Sequence, residues 1–386
     1  MEIKKESQID TMYVDLGMAL RDAKRDKEAE EVLGLALKHG SSYELVYLVL
    51  GMILQDRGKH AEALEVLHQA VERTPQSHEV HNVLGTVYFA MEKWDQAIEA
   101  LEQAIRLRPN VGAETYTSLG VALQKSKRLE EAEDKLRKAV EIDPEYVEAY
   151  CKLGDTLRDR KRYDEAKEVL ARATKINPDY ADIYRCLGTV YAAQRLNEEA
   201  LQTLTEAIRL DPKLAEAYSA RGNVYQNNLR DYEEAIKQYT IAIEADPSAA
   251  KYLCNRANSY RRLRRYELAF VDLDRASEID PSFARAYNLR GLMCEAQGQY
   301  EKALAEYRQA IEVDPAYVYG YTNRADVFQR RGEYEEALAE CERALAAVSV
   351  TDKPIVYHVR GLIHQDQRRY DEALAEYERA IEVDPT

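Results

Sequence analysis

His78 and His81 stand three residues apart, a spacing that sets two imidazoles on one face of a helix and could supply two ligands to a metal ion. No third ligand lies near them in the sequence, and His358 and His364, six apart, do not share a helical face. The five cysteines, Cys151, Cys186, Cys254, Cys294 and Cys341, are odd in number and form no Cys-x-x-Cys pair, so no disulfide framework is expected. The chain contains no Gly-x-x-x-x-Gly-Lys-Ser/Thr loop, no Gly-x-Ser-x-Gly elbow and no His-Glu-x-x-His helix. The expectation is a chain without catalytic residues, cofactor or metal. One charged segment departs from the rest. Between Lys251 and Arg265 (KYLCNRANSYRRLRR) there are six basic residues and no acidic one, in a chain of formal net charge −15.

The elements that position this segment follow from a period. Nine of the ten prolines (Pro75, Pro109, Pro144, Pro178, Pro212, Pro247, Pro281, Pro315 and Pro385) recur at 34 or 35 residues, with one missing before the last. A small residue keeps the same period: Gly17, Gly51, Gly85, Gly120, Gly154, Gly188, Gly222, Ala257, Gly291, Ala325 and Gly361. Alanines follow twelve or thirteen residues later, as at Ala166 and Ala337, and again seven further on, as at Ala173 and Ala344. Within one period apolar residues step by three and four (Tyr150, Leu153, Leu157, then Tyr163, Ala166, Leu170, Ala173), with a polar break at Arg158–Arg162. Each unit is thus expected to be a helix, a turn and a second helix. The second helix opens on acidic residues that suit its positive dipole end and stops before Asp-Pro or Asn-Pro. Cys294 and Cys341 take positions held elsewhere by Tyr, Phe or Leu and read as core residues. Twenty-two of the 28 tyrosines fall at four repeat positions and read as packing residues with solvated hydroxyls.

This unit resembles the tetratricopeptide repeat, a 34-residue helix–turn–helix with small residues at fixed places and a closing proline. The match is plain in AEAYSARGNVYQ (215–226) and RGEYEEALAECERAL (331–345). The resemblance implies an all-α fold, a right-handed superhelical solenoid. A lead-in at 1–9 would precede a continuous array over 10–386, with units near 10–43, 44–77, 78–112, 113–146, 147–180, 181–214, 215–249, 250–283, 284–317, 318–353 and 354–386. The register is broken three times. One residue is added in Asn110–Ala113, one in the inter-helix turn around Asn227-Asn228-Leu229, and two in Ser349–Pro354. These read as tolerated turn variation or, at the last junction, as a change in superhelix angle.

In proteins of this kind the first helices line a concave groove that binds extended peptides or helices of a partner. Carried over, the groove has an apolar stretch early (Val14, Met18, Leu45, Leu48, Met52 and Phe89). Later it has a polar and basic one (Arg185, Asn223, Lys251, Asn255, Asn258, Arg261, Arg285, Asn288 and Gln329). Asn223, Asn255 and Arg285 match three positions of the clamp by which chaperone-binding members grip a terminal carboxylate. Ser219 and Leu289 depart from that clamp where basic residues belong. The basic run reads either as a solvated turn or as a site for acidic or phosphorylated segments.

The expected function is a non-enzymatic protein-interaction scaffold. The alternatives are a regulatory segment of a larger enzyme, or a self-assembling structural protein. A net charge of −15 argues against nucleic acid and anionic membrane as partners. No apolar run is long enough to span a bilayer, and the first residues, MEIKKESQID, lack the apolar stretch of a secretory signal. The default location is the cytoplasm. Leu374, Tyr377 and Ile381 of the last unit are expected to be left uncovered, a surface for self-association.

Overall fold

The computed structural model describes the backbone of residues 2–41 and 43–383 and the side chains from residue 9 onward within those limits. Pro385, the last of the periodic prolines, lies outside the described residues. The chain divides into two compact units, Met1–Asp179 and Tyr180–Thr386. No described residue is in a strand.

The first unit holds α1 (Glu2–Asp22), α2 (Asp26–Lys38), α3 (Glu44–Asp56), α4 (His60–Arg73), α5 (His78–Ala90), α6 (Trp94–Leu107), α7 (Ala113–Lys125), α8 (Leu129–Ile142), α9 (Val147–Asp159) and α10 (Tyr163–Ile176). Residues 2–9, expected as a lead-in, continue α1. The second unit holds α11 (Ala181–Ala193), α12 (Asn197–Leu210), α13 (Ala215–Asn223), α14 (Tyr232–Ala245), α15 (Ala250–Arg262), α16 (Tyr266–Ile279), α17 (Ala284–Ala296), α18 (Tyr300–Val313), α19 (Val318–Arg330), α20 (Tyr334–Ala347), α21 (Lys353–Asp366) and α22 (Tyr370–Val383). Within each unit every helix packs on the next. First helices of neighbouring pairs also touch, as α3 does α5 and α15 does α17.

The small residue of each first helix sits where its pair crosses. A Cβ on Gly154 would stand 2.8 Å from Leu170 Cγ, and one on Gly222 would stand 2.6 Å from Tyr239 Cε1. Both distances are below any real carbon contact, so only hydrogen fits. The two alanines behind these glycines, such as Ala166 and Ala173, are fully buried.

The junctions between repeats are held by more than the proline. Asp143, Asp211, Asp246, Asp280 and Asp314 each accept a hydrogen bond from the backbone N–H two residues on, at 2.9–3.1 Å, closing an Asx turn around the proline. The tyrosine of the following helix then donates to the proline carbonyl: Tyr116 to Pro109, Tyr150 to Pro144, Tyr218 to Pro212, Tyr287 to Pro281 and Tyr321 to Pro315. These hydroxyls, expected to be solvated, are therefore junction ties. Proline disrupts the helix and presents a carbonyl with no intrahelical partner, and the tyrosine satisfies it.

The turn inside each repeat ends its first helix with a left-handed residue. Gly58, Gly298 and Gly332 fill this place in three repeats, and Lys24, Glu92, Lys127, Lys161, Arg195, Arg230, Arg264 and Arg368 fill it in the others, with φ near +60°. The 6→1 bond of a Schellman motif accompanies it, as from Arg25 N–H to the Leu20 carbonyl at 2.8 Å.

The three breaks in register are absorbed differently. At Asn110–Ala113 the added residue tucks Val111 against Ala113, Tyr116, Ala139 and Ala149. At Ser349–Pro354 a 3₁₀ turn, Val350–Asp352, leads into α21. In the repeat of α13 the sequence places the extra residue in the turn. The structure takes it up inside the helix instead, as a π-helical segment, Val224–Leu229. Buried Val224 and Gln226 hold this segment, and Asn228 Nδ2 donates to the Ala192 carbonyl (2.9 Å) and to Asn197 (2.7 Å). Widening the helix keeps these anchors in place, which an enlarged turn would have moved.

Candidate functional site

The sequence-based candidates of the second unit lie on α13, α15 and α17. Asn223, the last residue of α13, is exposed, and its Oδ1 accepts from the Tyr239 hydroxyl at 2.7 Å, leaving the amide N–H groups free to donate. Lys251 is exposed in the first turn of α15, 3.2 Å from Glu216, with its Nζ over the Tyr252 ring. Arg261 donates to Asn258 Oδ1 through Nε (3.2 Å) and Nη2 (2.9 Å). Burial holds the Arg261 pKa below the usual arginine value, and the neighbouring Arg262 charge adds to that.

Arg285 on α17 is half-buried and has no hydrogen-bond or ion-pair partner among the described residues. It lies near Cys254 and Tyr317. Burial pushes both groups up, each to about 12, against the opposing influence of the Arg285 charge.

Asn255 and Asn288 are buried. Asn255 Nδ2 donates to Ser219 Oγ at 3.4 Å, and Asn323 Nδ2 donates to Asn288 Oδ1 at 2.8 Å. With Ser259 bonded to Gln226 at 2.7 Å, these form polar rungs between consecutive first helices. Each amide makes one such bond and is buried, so these residues space and orient the face. Of the other polar candidates, Arg185 pairs with Asp182 and Gln329 bonds Asp366.

The six positive charges of the basic run are partly compensated. Arg256 makes two hydrogen bonds to buried Asp272, at 2.7 and 2.8 Å, Lys251 faces Glu216, and Arg265 faces Glu233. The acidic partners come from other helices, which inspection of one segment does not reveal. Arg262 and Arg264 have no such partner among the described residues. Sequence reasoning also missed Arg230, on the turn after the π-helical segment, which with Gln226, Asn227, Tyr232, Asn258 and Arg262 lines a concave space of about 260 Å³. The register break of that repeat was its only signal.

The apolar candidates of the first unit are not one surface. Val14 and Leu48 are buried in the core cluster formed as neighbouring first helices close on one another, so they are not available to a ligand. Met18 and Leu45 are exposed, Met52 is half-buried, and Phe89 packs edge-on against Trp94 at 5.3 Å. His78 and His81 turn to different partners, Arg108 and the Pro75 carbonyl. All five cysteines are buried thiols. In the last repeat Leu374 and Ile381 are exposed, but Tyr377 is packed against Gly361 and donates to Gln365 at 2.9 Å.

These tandem pairs are an all-α repeat of the solenoid class, and comparison with known families agrees. Models described as tetratricopeptide repeat match residues 42–110, 76–145, 135–168, 220–282 and 318–386, and a model described as TPR repeat matches 154–194, 197–228 and 291–332. The chain belongs to the tetratricopeptide repeat family. Among solved structures it is similar to yeast Tom70, with a TM-score of 0.57 and 16% identity over 99% of this chain and 93% of that one. It is also similar to a chain of the APC/C hetero-tetramer Cut9-Hcn1, with a TM-score of 0.50 and 13% identity over 97% and 94%. No curated protein matches the chain by sequence. No described helix is long and apolar enough to cross a membrane.

Proposed function

We propose that this chain is a non-enzymatic scaffold that binds an acidic segment of a partner protein across α13, α15 and α17. The observation that carries this reading is Arg285, a half-buried guanidinium without a partner among the described residues, in an acidic chain that could readily have supplied one. Lys251 offers a second cation on the same set of first helices, and Asn223 and Asn258 offer amide donors whose oxygens are already occupied. Such a face can hold carboxylates by charge and a peptide backbone by hydrogen bonds. Exposed charge pairs contribute only about 0.2–1 kcal/mol each, so the affinity is moderate and rests on several contacts.

The test is fluorescence anisotropy with a labelled peptide of four glutamates separated by glycines. The intact chain should bind it, less tightly as salt rises, and Lys251→Glu with Arg285→Glu should weaken binding about ten-fold or more while the circular dichroism is unchanged. Absence of binding, or equal binding by the double variant, would contradict the reading.

A further inference from the structure

The space beside the π-helical segment is lined by Gln226, Asn227, Arg230, Tyr232, Asn258 and Arg262, two cations and no carboxylate. The Arg230 and Arg262 side chains have no hydrogen-bond or ion-pair partner among the described residues. The amide oxygens around them are spent. Gln226 Oε1 accepts from Ser259, Asn227 Oδ1 accepts from Gln226 Nε2 at 3.0 Å, and Asn258 Oδ1 accepts twice from Arg261. The amide groups left over on Asn227 and Asn258 are donors, as are both guanidiniums. The lining therefore offers donors and positive charge, with its side-chain amide acceptors already used.

The π-helical segment supplies part of this donor set: Asn227 lies within it, and Arg230 follows it in the left-handed place that closes the first helix of each repeat, at φ +58°. Single π-helical insertions are rare and recur at functional sites. A guanidinium matches the oxygens of a phosphate in a fork that two neighbouring arginines can double.

We propose that this space is a binding site for a phosphate dianion, carried on a phosphorylated serine or threonine of the segment that the scaffold holds. The proposal rests on the scaffold reading above and adds the chemistry of one anchoring group. The Arg230 and Arg262 guanidiniums take the phosphate oxygens, and the Asn227 and Asn258 amides donate to those remaining.

The experiment is isothermal titration of the full chain with an acetylated, amidated peptide, Ala-Ala-phosphoserine-Ala-Ala, its unphosphorylated form, and inorganic phosphate. The phosphopeptide should bind at least about ten-fold more tightly than the unphosphorylated form. That advantage should vanish in Arg230→Gln with Arg262→Gln and persist in Arg264→Gln, which removes an exposed cation outside the lining. Inorganic phosphate binding as tightly as the phosphopeptide would overturn the peptide source and assign the site to free phosphate. No phosphopeptide binding, or binding unchanged in the double variant, would overturn the proposal. The glutamate-peptide measurement is independent of that result: binding there without phosphopeptide binding leaves the scaffold reading intact, and the reverse removes it.

Discussion

In the repeats up to residue 210 the residue before the small crossing residue is leucine (Leu16, Leu50, Leu84, Leu119, Leu153 and Leu187), whereas from residue 215 onward it is arginine (Arg221, Arg256, Arg290, Arg324 and Arg360). The second helix changes less uniformly: sixteen residues later the first six repeats carry Val32, Val66, Ala100, Lys135, Val169 and Thr203, and sixteen or seventeen residues later the last five carry Gln238, Asp272, Glu306, Glu340 and Glu376. The leucines Leu50, Leu84, Leu119 and Leu153 are buried. The arginines are tied to the second helix of their own repeat: Arg221 to Gln238, Arg256 to Asp272, Arg290 to Glu306, Arg324 to Glu340 and Arg360 to Glu376. Several reach the preceding repeat as well, as Arg256 does Thr240 (2.9 Å) and Arg290 does Asp274 (2.9 Å). The same backbone thus accepts an apolar contact or a buried ion pair at one place. Ion pairs removed from water add little net stability over a well-packed apolar pair but penalise any arrangement that parts them.

The largest effect should come from breaking one such pair. Arg256→Ala leaves the Asp272 carboxylate buried without its partner and should cost about 3–5 kcal/mol in urea denaturation. Arg256→Leu with Asp272→Val installs the combination of the second and fifth repeats and should return stability to that of the parent or above. A double variant as unstable as Arg256→Ala would show that the two regions are not interchangeable.

Overpacking the crossing should cost less. Gly154→Leu forces a side chain onto Leu170 and should destabilise by about 1–3 kcal/mol. Hydrogen exchange should show lost protection in its own and adjacent repeats while distant ones keep theirs. The milder Gly154→Ala should be tolerated better than Gly291→Ala, because Leu170 can rotate whereas Tyr307 is held by its hydroxyl bond to Glu295 at 2.8 Å. Equal losses from the two alanine substitutions would remove that distinction.

The junction tie, by contrast, is common to both regions. Tyr150→Phe and Tyr287→Phe should each cost about 0.5–1.5 kcal/mol, by similar amounts, as one hydrogen bond to a proline carbonyl is lost. A marked difference between the two would mean that the junction is not equivalent in the two regions.

The smallest effect is a pH dependence from a raised carboxyl in one of the arginine-bearing repeats. Burial outweighs Arg324 and Arg343 and holds the Glu340 carboxyl above its ordinary value of 4.5. The folded state then keeps a proton that the unfolded chain has released, so this group's contribution to stability falls as pH rises from 4.5 through the folded value. Glu340→Gln should flatten that decline, seen in urea midpoints between pH 4.5 and 7. A decline of the same steepness in the variant would place its origin elsewhere.

Much of the scaffold was legible because it depends on residue size at a fixed period: Gly154, Ala166 and Pro178 each mark a place where only one kind of residue fits. What was not legible depends on pairing across helices. The Arg256–Asp272 contact requires the antiparallel register of two helices, and the neutralisation of Lys251 and Arg265 comes from α13 and α14. An inserted residue shows in a sequence that register is broken but not whether helix or turn absorbs it, so the space beside Arg230 could not be foreseen. For the same reason Val14 and Leu48 read as a surface, although the closure of one first helix on the next buries them.

Hydrogen exchange of the full chain with and without the labelled glutamate peptide compares the two regions within one molecule. Protection should rise in α13, α15 and α17, and stay unchanged in α1, α3 and α5. Protection gained on α1, α3 and α5, or spread evenly along the chain, would contradict the assignment of the binding face to Asn223, Lys251 and Arg285.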